Sequence, residues 1–403
     1  MLNISKIAEQ LPASPIRKLV PYALAAKAKG VKVYHLNIGQ PDIESPVEAL
    51  SAIREYDQKV LEYTHSAGIE SYRVKLAEFY NSRGLNIKVE DLLVTTGGSE
   101  ALFFSMLAIC NPGDEIIIPE PFYANYNSFA LEAGVKIVPI TAVIENGFAL
   151  PTAEAFERLI SPRTRAILIC NPNNPTGYLY TQSEIEALKE LVLKHNLYLL
   201  SDEVYSDFCY DGKKHFSVLE LEGAEDNIIM CDSVSKRYSM CGVRIGVIVS
   251  RNAAILDAAL RMGQARLCAP LLGQVAAEAA LDAPQSYFDK VKSQYVERRD
   301  FVISALSQME GVVAPNPGGA FYVVAGLPID SSENFAQWLL EDYSFEGATV
   351  MVAPAQGFYS NPKECVQNQI RIAYVLEIEE LRGAMQVLEE AIKVYRRDVM
   401  QVL

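Results

Sequence analysis

The chain has 403 residues, half of them apolar, which suits a large buried core arranged as two domains or as one large domain with an appendage. Acidic residues outnumber basic ones by 50 to 36, and the formal charge of −14 repels phosphate backbones and anionic lipid, which argues against nucleic-acid and membrane partners. No apolar stretch is long enough to span a bilayer and the opening MLNISKIAEQLP lacks the basic and apolar regions of a signal peptide, so the expected location is the cytoplasm.

In chain order, the first forty residues carry prolines, a helical AAKAKG piece and then YHLNIGQPD, and they read as an arm rather than a domain. From about residue 90 to 250, short β-rich runs alternate with helical patterns, as in a mainly parallel sheet flanked by helices. Seven strands are expected, at 91–96, 114–119, 135–141, 165–171, 197–202, 227–232 and 244–250. Several are continuously apolar, as strands covered on both faces should be. Between the fourth and fifth, Thr181 and Glu184 have capping-box spacing, and Ile185, Leu188, Leu191 and Val192 share one face of a crossover helix. Near the C-terminus, Leu381, Ala384, Met385, Leu388 and Ile392 form another apolar stripe, in a segment that reads as helices on a short sheet around GGAFYVVAG. The expected division is an arm with part of the small domain at 1–45, a large domain at 46–284 and a small α+β domain at 285–403. The seven cysteines (Cys110, Cys170, Cys209, Cys231, Cys241, Cys268 and Cys365) are scattered without a CxxC pair, so neither a disulfide framework nor a metal site is expected.

Four segments carry possible chemistry. In TTGGSEALFF a strand runs into two glycines, and the helix that Ser99 opens presents free amides to an anion; a bare strand-to-helix turn uses the same residues. CNPNNPTG projects side-chain amides at a strand end, which turn chemistry alone also explains. In SDEVY, Asp202 follows an apolar run where an unpaired carboxylate is costly, so it either caps a following helix or pairs with a buried cation. Tyr205 faces the same side if a helical turn follows. In SVSKRYSMCGVRIG, Lys236 stands at a strand end, where its ammonium either reaches water or serves a reaction. All four lie at strand carboxyl ends, where open α/β sheets bind ligands. A phosphate cradle, an acid, a lysine and amide and phenol donors together suit pyridoxal phosphate (PLP), which needs a Schiff-base lysine and a partner for its pyridine nitrogen.

SVSKRYSMCGVRIG resembles the lysine signature of the class I and II aminotransferases, which are fold type I PLP enzymes. LNIGQPD, YTHSAGIESYR, GGSEAL, PFYANY, NPNNPTG, SDEVY, GGAFYV and IRIAYV occur in the family's order over nearly the whole chain, and the likeness is nearest to the aspartate aminotransferase-like branch. The resemblance implies a homodimer that moves an amino group from an L-amino acid, with aspartate-type donors expected, to a 2-oxo acid, with 2-oxoglutarate expected. The implied cycle is ping-pong through an internal aldimine on Lys236. Asp202 resembles the partner of the pyridine nitrogen, Asn174 and Tyr205 the donors to the ring hydroxylate, and Tyr123 the stacking aromatic. Gly98, Ser99, Glu100, Ser233 and Arg244 match the phosphate-binding positions, with Tyr63 reaching in from a second subunit. Arg371 and Gly39, with Asn174, match the grip on the substrate α-carboxylate. Related bacterial aspartate enzymes carry lysine where this chain has Ser99, so a distal carboxylate needs another cation. Arg17 and Arg266 are the candidates, each otherwise a solvated arginine. A PLP-dependent C–S β-lyase or related lyase or synthase would use the same cofactor residues, and a non-enzymatic regulator on this fold is the remoter alternative.

Overall fold

The computed structural model describes residues 2–15 and 17–400. Strand β1 (Lys32–His35) lies apart from the next seven, which form one sheet: β2 (Leu92–Thr95), β3 (Glu115–Glu120), β4 (Lys136–Thr141), β5 (Thr164–Cys170), β6 (Tyr198–Asp202), β7 (Ile228–Ser233) and β8 (Gly246–Val249). All seven expected strands are present. Their order is β2-β8-β7-β6-β5-β3-β4. The pairs from β7 through β4 are parallel, whereas β8 runs antiparallel to both β7 and β2. The reason lies in the connection. After β7 the chain makes one helical turn, Val234–Arg237, and a 3-10 turn, Cys241–Val243, without a crossover helix, so it re-enters the sheet from the end it has just left.

Strands β3, β5, β6, β7 and β8 are almost wholly buried, and their alternate residues feed two cores. Ile116, Leu168, Leu200, Ile229 and Ile248 pack on one face with Ala101, Leu102 and Met106 of the helix Gly97–Ile109. Ile117, Ile167, Leu199, Ile228 and Val247 pack on the other with Ile185, Leu188 and Val192 of the helix Gln182–His195. Both faces are therefore closed to water, which is why these strands read as unbroken apolar runs. The crossover helix begins as its sequence indicates: the Thr181 hydroxyl accepts from the Glu184 amide at 3.2 Å, and the Glu184 carboxylate accepts from the Thr181 amide at 2.7 Å.

The C-terminal portion holds β9 (Tyr322–Gly326), β10 (Ala348–Met351), β11 (Ala353–Pro354) and β12 (Gln369–Ala373). β12 lies between β11 and β9, antiparallel to both, and β10 pairs in parallel with β1. The C-terminal stripe is realised in the helix Ile378–Asp398, which buries Leu381, Ala384, Met385, Leu388 and Ile392. Pairing of β1 with β10, extended by the Leu36 amide to Met351 O (3.0 Å) and the Ala373 amide to Leu36 O (2.8 Å), carries the chain from Asn37 to Gln40 over the carboxyl edge of the large sheet. Among the described residues no helix is long and apolar enough to cross a membrane, no cluster of metal-ligating side chains occurs, and the seven cysteines are free.

Candidate active site

A cavity of about 550 Å³ opens at the carboxyl edge of the parallel strands, closed on its far side by Tyr322 of β9 and Arg371 of β12. Lys236 enters it from a helical turn of four residues, too short to hold itself. Its neighbour Arg237 supplies the anchor: the buried guanidinium pairs with Asp207 and with Asp232 (2.8 Å), and donates to Ser206 Oγ (3.1 Å). Tyr80 donates its hydroxyl to the same Asp232 at 2.9 Å. Lys236 Nζ donates to the carbonyl of Gly39 at 2.8 Å. Burial pushes the lysine pKa down, against the pull of Cys241; Arg371 and Arg244 lower it further.

Asp202 ends β6 and is 4% exposed. Burial raises its carboxyl from the ordinary 3.8 to about 6, although the Tyr126 hydroxyl, 2.7 Å away, and the Val204 amide oppose this. The residues after it form a turn, not a helix, and the amide of Val204 stands 3.5 Å from Oδ1, so helix capping does not explain the carboxylate. The same turn brings the Tyr205 hydroxyl to 2.9 Å from that of Tyr322 and 3.4 Å from Asn174 Nδ2. Asn174 is presented by a turn in which Asn173 Oδ1 accepts from the Thr176 amide (3.2 Å) and hydroxyl (2.9 Å).

A third wall is built where β2 meets the helix Gly97–Ile109, which starts at Gly97, two residues before Ser99. Gly97 has φ +78°, and a Cβ there would lie 2.5 Å from Arg244 Nη2; one on Gly246 would lie 2.6 Å from the Gly98 nitrogen. Glycine at both positions lets Arg244 and the helix start close on each other. Thr96 makes no side-chain cap, so the first-turn amides remain open to a ligand. Gly98, Ser99, Ser233 and Arg244 all line the cavity here, and Tyr123, edge-on to Tyr126 at 5.5 Å, lines it opposite.

Arg371 is 1% exposed. Its Nη1 donates to Asn174 Oδ1 (3.1 Å) and Nη2 to Asn37 O (2.5 Å), while the guanidinium lies 4.5 Å from the Tyr322 ring centre and 4.8 Å from that of Phe358. Nε has no hydrogen-bond partner among the described residues. Gly39 is required beside it, because a Cβ there would stand 1.8 Å from the Tyr322 hydroxyl oxygen.

The cavity thus gathers Lys236, Asp202, Tyr205, Asn174, Tyr123, Gly98, Ser99, Ser233, Arg244, Gly39, Arg371 and Arg17. Three expected residues lie elsewhere. The Glu100 carboxylate turns back to accept the Thr96 amide at 2.7 Å, so it serves the helix start rather than the cavity. Arg266 contacts that carboxylate (3.4 Å), Thr96 Oγ1 (3.3 Å) and Val94 O (3.4 Å). Tyr63 is 78% exposed and lines a separate surface depression with Tyr56 and His65. Sequence reasoning missed Tyr126, Tyr322 and Phe358 as partners of Asp202, Tyr205 and Arg371. Only the aromatic content of PFYANY, GGAFYV and the AQGFY segment signalled them.

This donor set fits PLP: open amides, a serine and an arginine for a phosphate, a buried carboxylate for a cationic ring nitrogen, and an amine for an aldehyde. A family model for aminotransferase class I and II matches residues 31–388. The chain is 33% identical over 393 residues to the aspartate aminotransferase of Pyrococcus horikoshii, covering 94% of this chain and 95% of that protein. It is 34% identical over 373 residues to the aspartate/prephenate aminotransferase of Cereibacter sphaeroides, covering 89% and 90% respectively. The solved aspartate aminotransferase from Thermus thermophilus with maleate superposes with a TM-score of 0.88 at 30% identity, over 97% of this chain and 100% of that one. With its fold, cavity and relatives in agreement, the chain belongs to the class I and II aminotransferases, enzymes that use PLP as cofactor.

Proposed function

We propose that this aminotransferase takes the amino group of an aspartate-type L-amino acid and passes it to 2-oxoglutarate in a ping-pong cycle. The observation that carries the reading is the convergence of the Lys236 amine, the Asp202 carboxylate and the Arg371 guanidinium in one cavity. PLP bound there would supply an aldehyde to take up the amino group and a protonated ring to withdraw electrons. Lys236 is the amine that would hold PLP and, when free, it is placed to take the proton from the substrate Cα; its burial keeps the amine from retaining its proton too tightly. Asp202 would keep the ring nitrogen protonated, Asn174 and Tyr205 would donate to the ring oxygen, and Tyr123 would hold the ring as its aromatic neighbour. Gly98, Ser99, Ser233 and Arg244 would hold the phosphate. Arg371, with the backbone of Gly39, grips the α-carboxylate, its planar fork already oriented by Asn174 and Asn37.

A dicarboxylic substrate leaves one carboxylate for another cation. Arg17 lines the cavity, whereas Arg266 is occupied by the phosphate-loop helix, so Arg17 is the proposed reader. The Thermus relative was solved with maleate, itself a dicarboxylate. We further propose the division into an arm (1–45), a large domain (46–284) and a small domain (285–403), which accords with the β1–β10 pairing. We also propose a cytoplasmic location and a homodimer; the exposed phenol of Tyr63 is free to complete the partner's phosphate site.

Borohydride reduction of the PLP-loaded enzyme should attach the cofactor to Lys236, as read by peptide mass spectrometry. Lys236→Ala should lower kcat by at least about 10²–10⁴-fold. Attachment to another lysine refutes the assignment, and pyruvate released without a 2-oxo acid acceptor would indicate a lyase.

Asp202 makes a pH signature. Its acid form is favoured in the folded chain, so without cofactor the stability it lends is fully present below about pH 4 and is lost as pH rises to about 6. The loss should be of order 3 kcal/mol in chemical denaturation. Asp202→Asn should remove that slope and, in the loaded enzyme, lower kcat more than it raises KM. A slope identical to wild type would refute the environment assigned to Asp202.

Arg17→Ala should cut kcat/KM for aspartate and glutamate by the equivalent of about 2–5 kcal/mol and leave a neutral amino acid nearly unchanged. Arg266→Ala, acting through Glu100 and Thr96, should affect all donors alike. Equal losses on all donors in both variants would point to neutral amino acid specificity.

Mixed subunits of inactive Tyr63→Ala and Lys236→Ala enzymes should regain activity, because one site of each hybrid dimer contains neither change. Verified subunit exchange without recovery would mean that each site is self-contained.

A further inference from the structure

Cys241 lines the cavity and has no part in the reaction as proposed above. Its sulfur stands 3.7 Å from Lys236 Nζ and donates to the Ser235 carbonyl at 3.1 Å. Among the described residues the lysine amine has two hydrogen-bonding neighbours, the Gly39 carbonyl and this sulfur, and of the two only the sulfur can exchange a proton. The segment carrying Cys241 is itself held, since Arg244 Nη1 donates to the Cys241 carbonyl at 3.0 Å. The charged and titratable groups around the pair include Arg244, Arg371 and the phenols of Tyr322 and Tyr295, and Asp202, Arg17, Tyr123 and Tyr205 line the same cavity.

We propose that Lys236 and Cys241 form an amine–thiol pair. The sulfur is a positioning group that rests the free lysine amine against the cavity wall, and the lysine makes Cys241 a nucleophile toward soft electrophiles. The resting role depends on Lys236 being the residue that bonds the cofactor; the pairing itself does not. An electrophile of the haloacetamide class reacts by displacement: the sulfur forms the thioether bond, the halide leaves with the bonding pair, and the thiol proton goes to solvent.

The test uses iodoacetamide on the full-length protein, with and without PLP, and follows each cysteine by peptide mass spectrometry across pH. At pH 7 Cys241 should be alkylated about tenfold faster in wild type than in Lys236→Ala, because the amine 3.7 Å from the sulfur assists loss of the thiol proton. Lys236→Arg keeps the cation and should restore most of the rate, which also guards against a variant that fails to fold. Added PLP, by engaging the lysine, should slow the labelling. In the cofactor-free protein, Cys241→Ala should move the pH midpoint for trinitrobenzenesulfonate labelling of Lys236 down by about one unit, with Cys241→Ser intermediate. Superimposable pH–rate curves for wild type and Lys236→Ala, or a Cys241 that stays unlabelled throughout, would overturn the pair. An unmoved Lys236 midpoint would overturn the resting role. Borohydride attachment to a different lysine would leave the alkylation result intact and refute only the cofactor assignment.

Discussion

The clamp on Arg237 is the interaction on which the active site depends. A four-residue helical turn between β7 and the Cys241 loop cannot set the direction of a lysine by its own hydrogen bonds. Asp232 belongs to β7 itself, and Asp207 belongs to the turn that also carries Tyr205, so one guanidinium ties the lysine segment to the segments bearing the acid and the phenol. Arg83 pairs with the same Asp207 at 2.7 Å and extends the tie toward the helix Glu70–Ser82. Such a planar fork suits the task, because it engages two carboxylates and a serine at fixed angles where an ammonium would not.

With that frame in place, the cavity can keep its charged groups short of full satisfaction. Asp202 lies against a single phenol at hydrogen-bonding distance and a long amide contact, Lys236 is desolvated, and Arg371 retains an unpartnered Nε among the described residues. Each costs folding free energy in isolation, and each is the kind of group that a cationic ring, an aldehyde or a carboxylate would satisfy. The two apolar cores on either face of the sheet make that cost tolerable and exclude the water that would otherwise screen these charges.

The antiparallel β8 contributes to the same arrangement. Because it leaves the sheet edge at which the cavity opens, Gly246 at its start meets Gly97 and Gly98 just beyond the end of β2, and Arg244 is delivered beside the helix start. A crossover helix here would have carried the arginine to the far edge.

Much of this was legible in the sequence. The seven strands stand where continuous apolar runs predict them, because burial on both faces selects one residue class along the whole segment. The crossover helix follows its capping box for a similar reason, since the determinants of a helix start lie within four residues of one another. The motif order brought out the family and most of the cavity lining. What local sequence could not decide was everything that depends on a partner distant in the chain. The sense of β8 depends on the path of a loop, and Glu100 and Arg266 turn to each other across 166 residues. Tyr322, Phe358 and Asn37 converge on Arg371 from three separate segments. Arg17 and Arg266 look alike as surface arginines, and only the tertiary structure sends one to the cavity and the other to the helix behind it. The physical reason is range: secondary-structure signals act over a few residues, whereas the position of a charge is set by whichever groups the folded chain brings within a few ångströms.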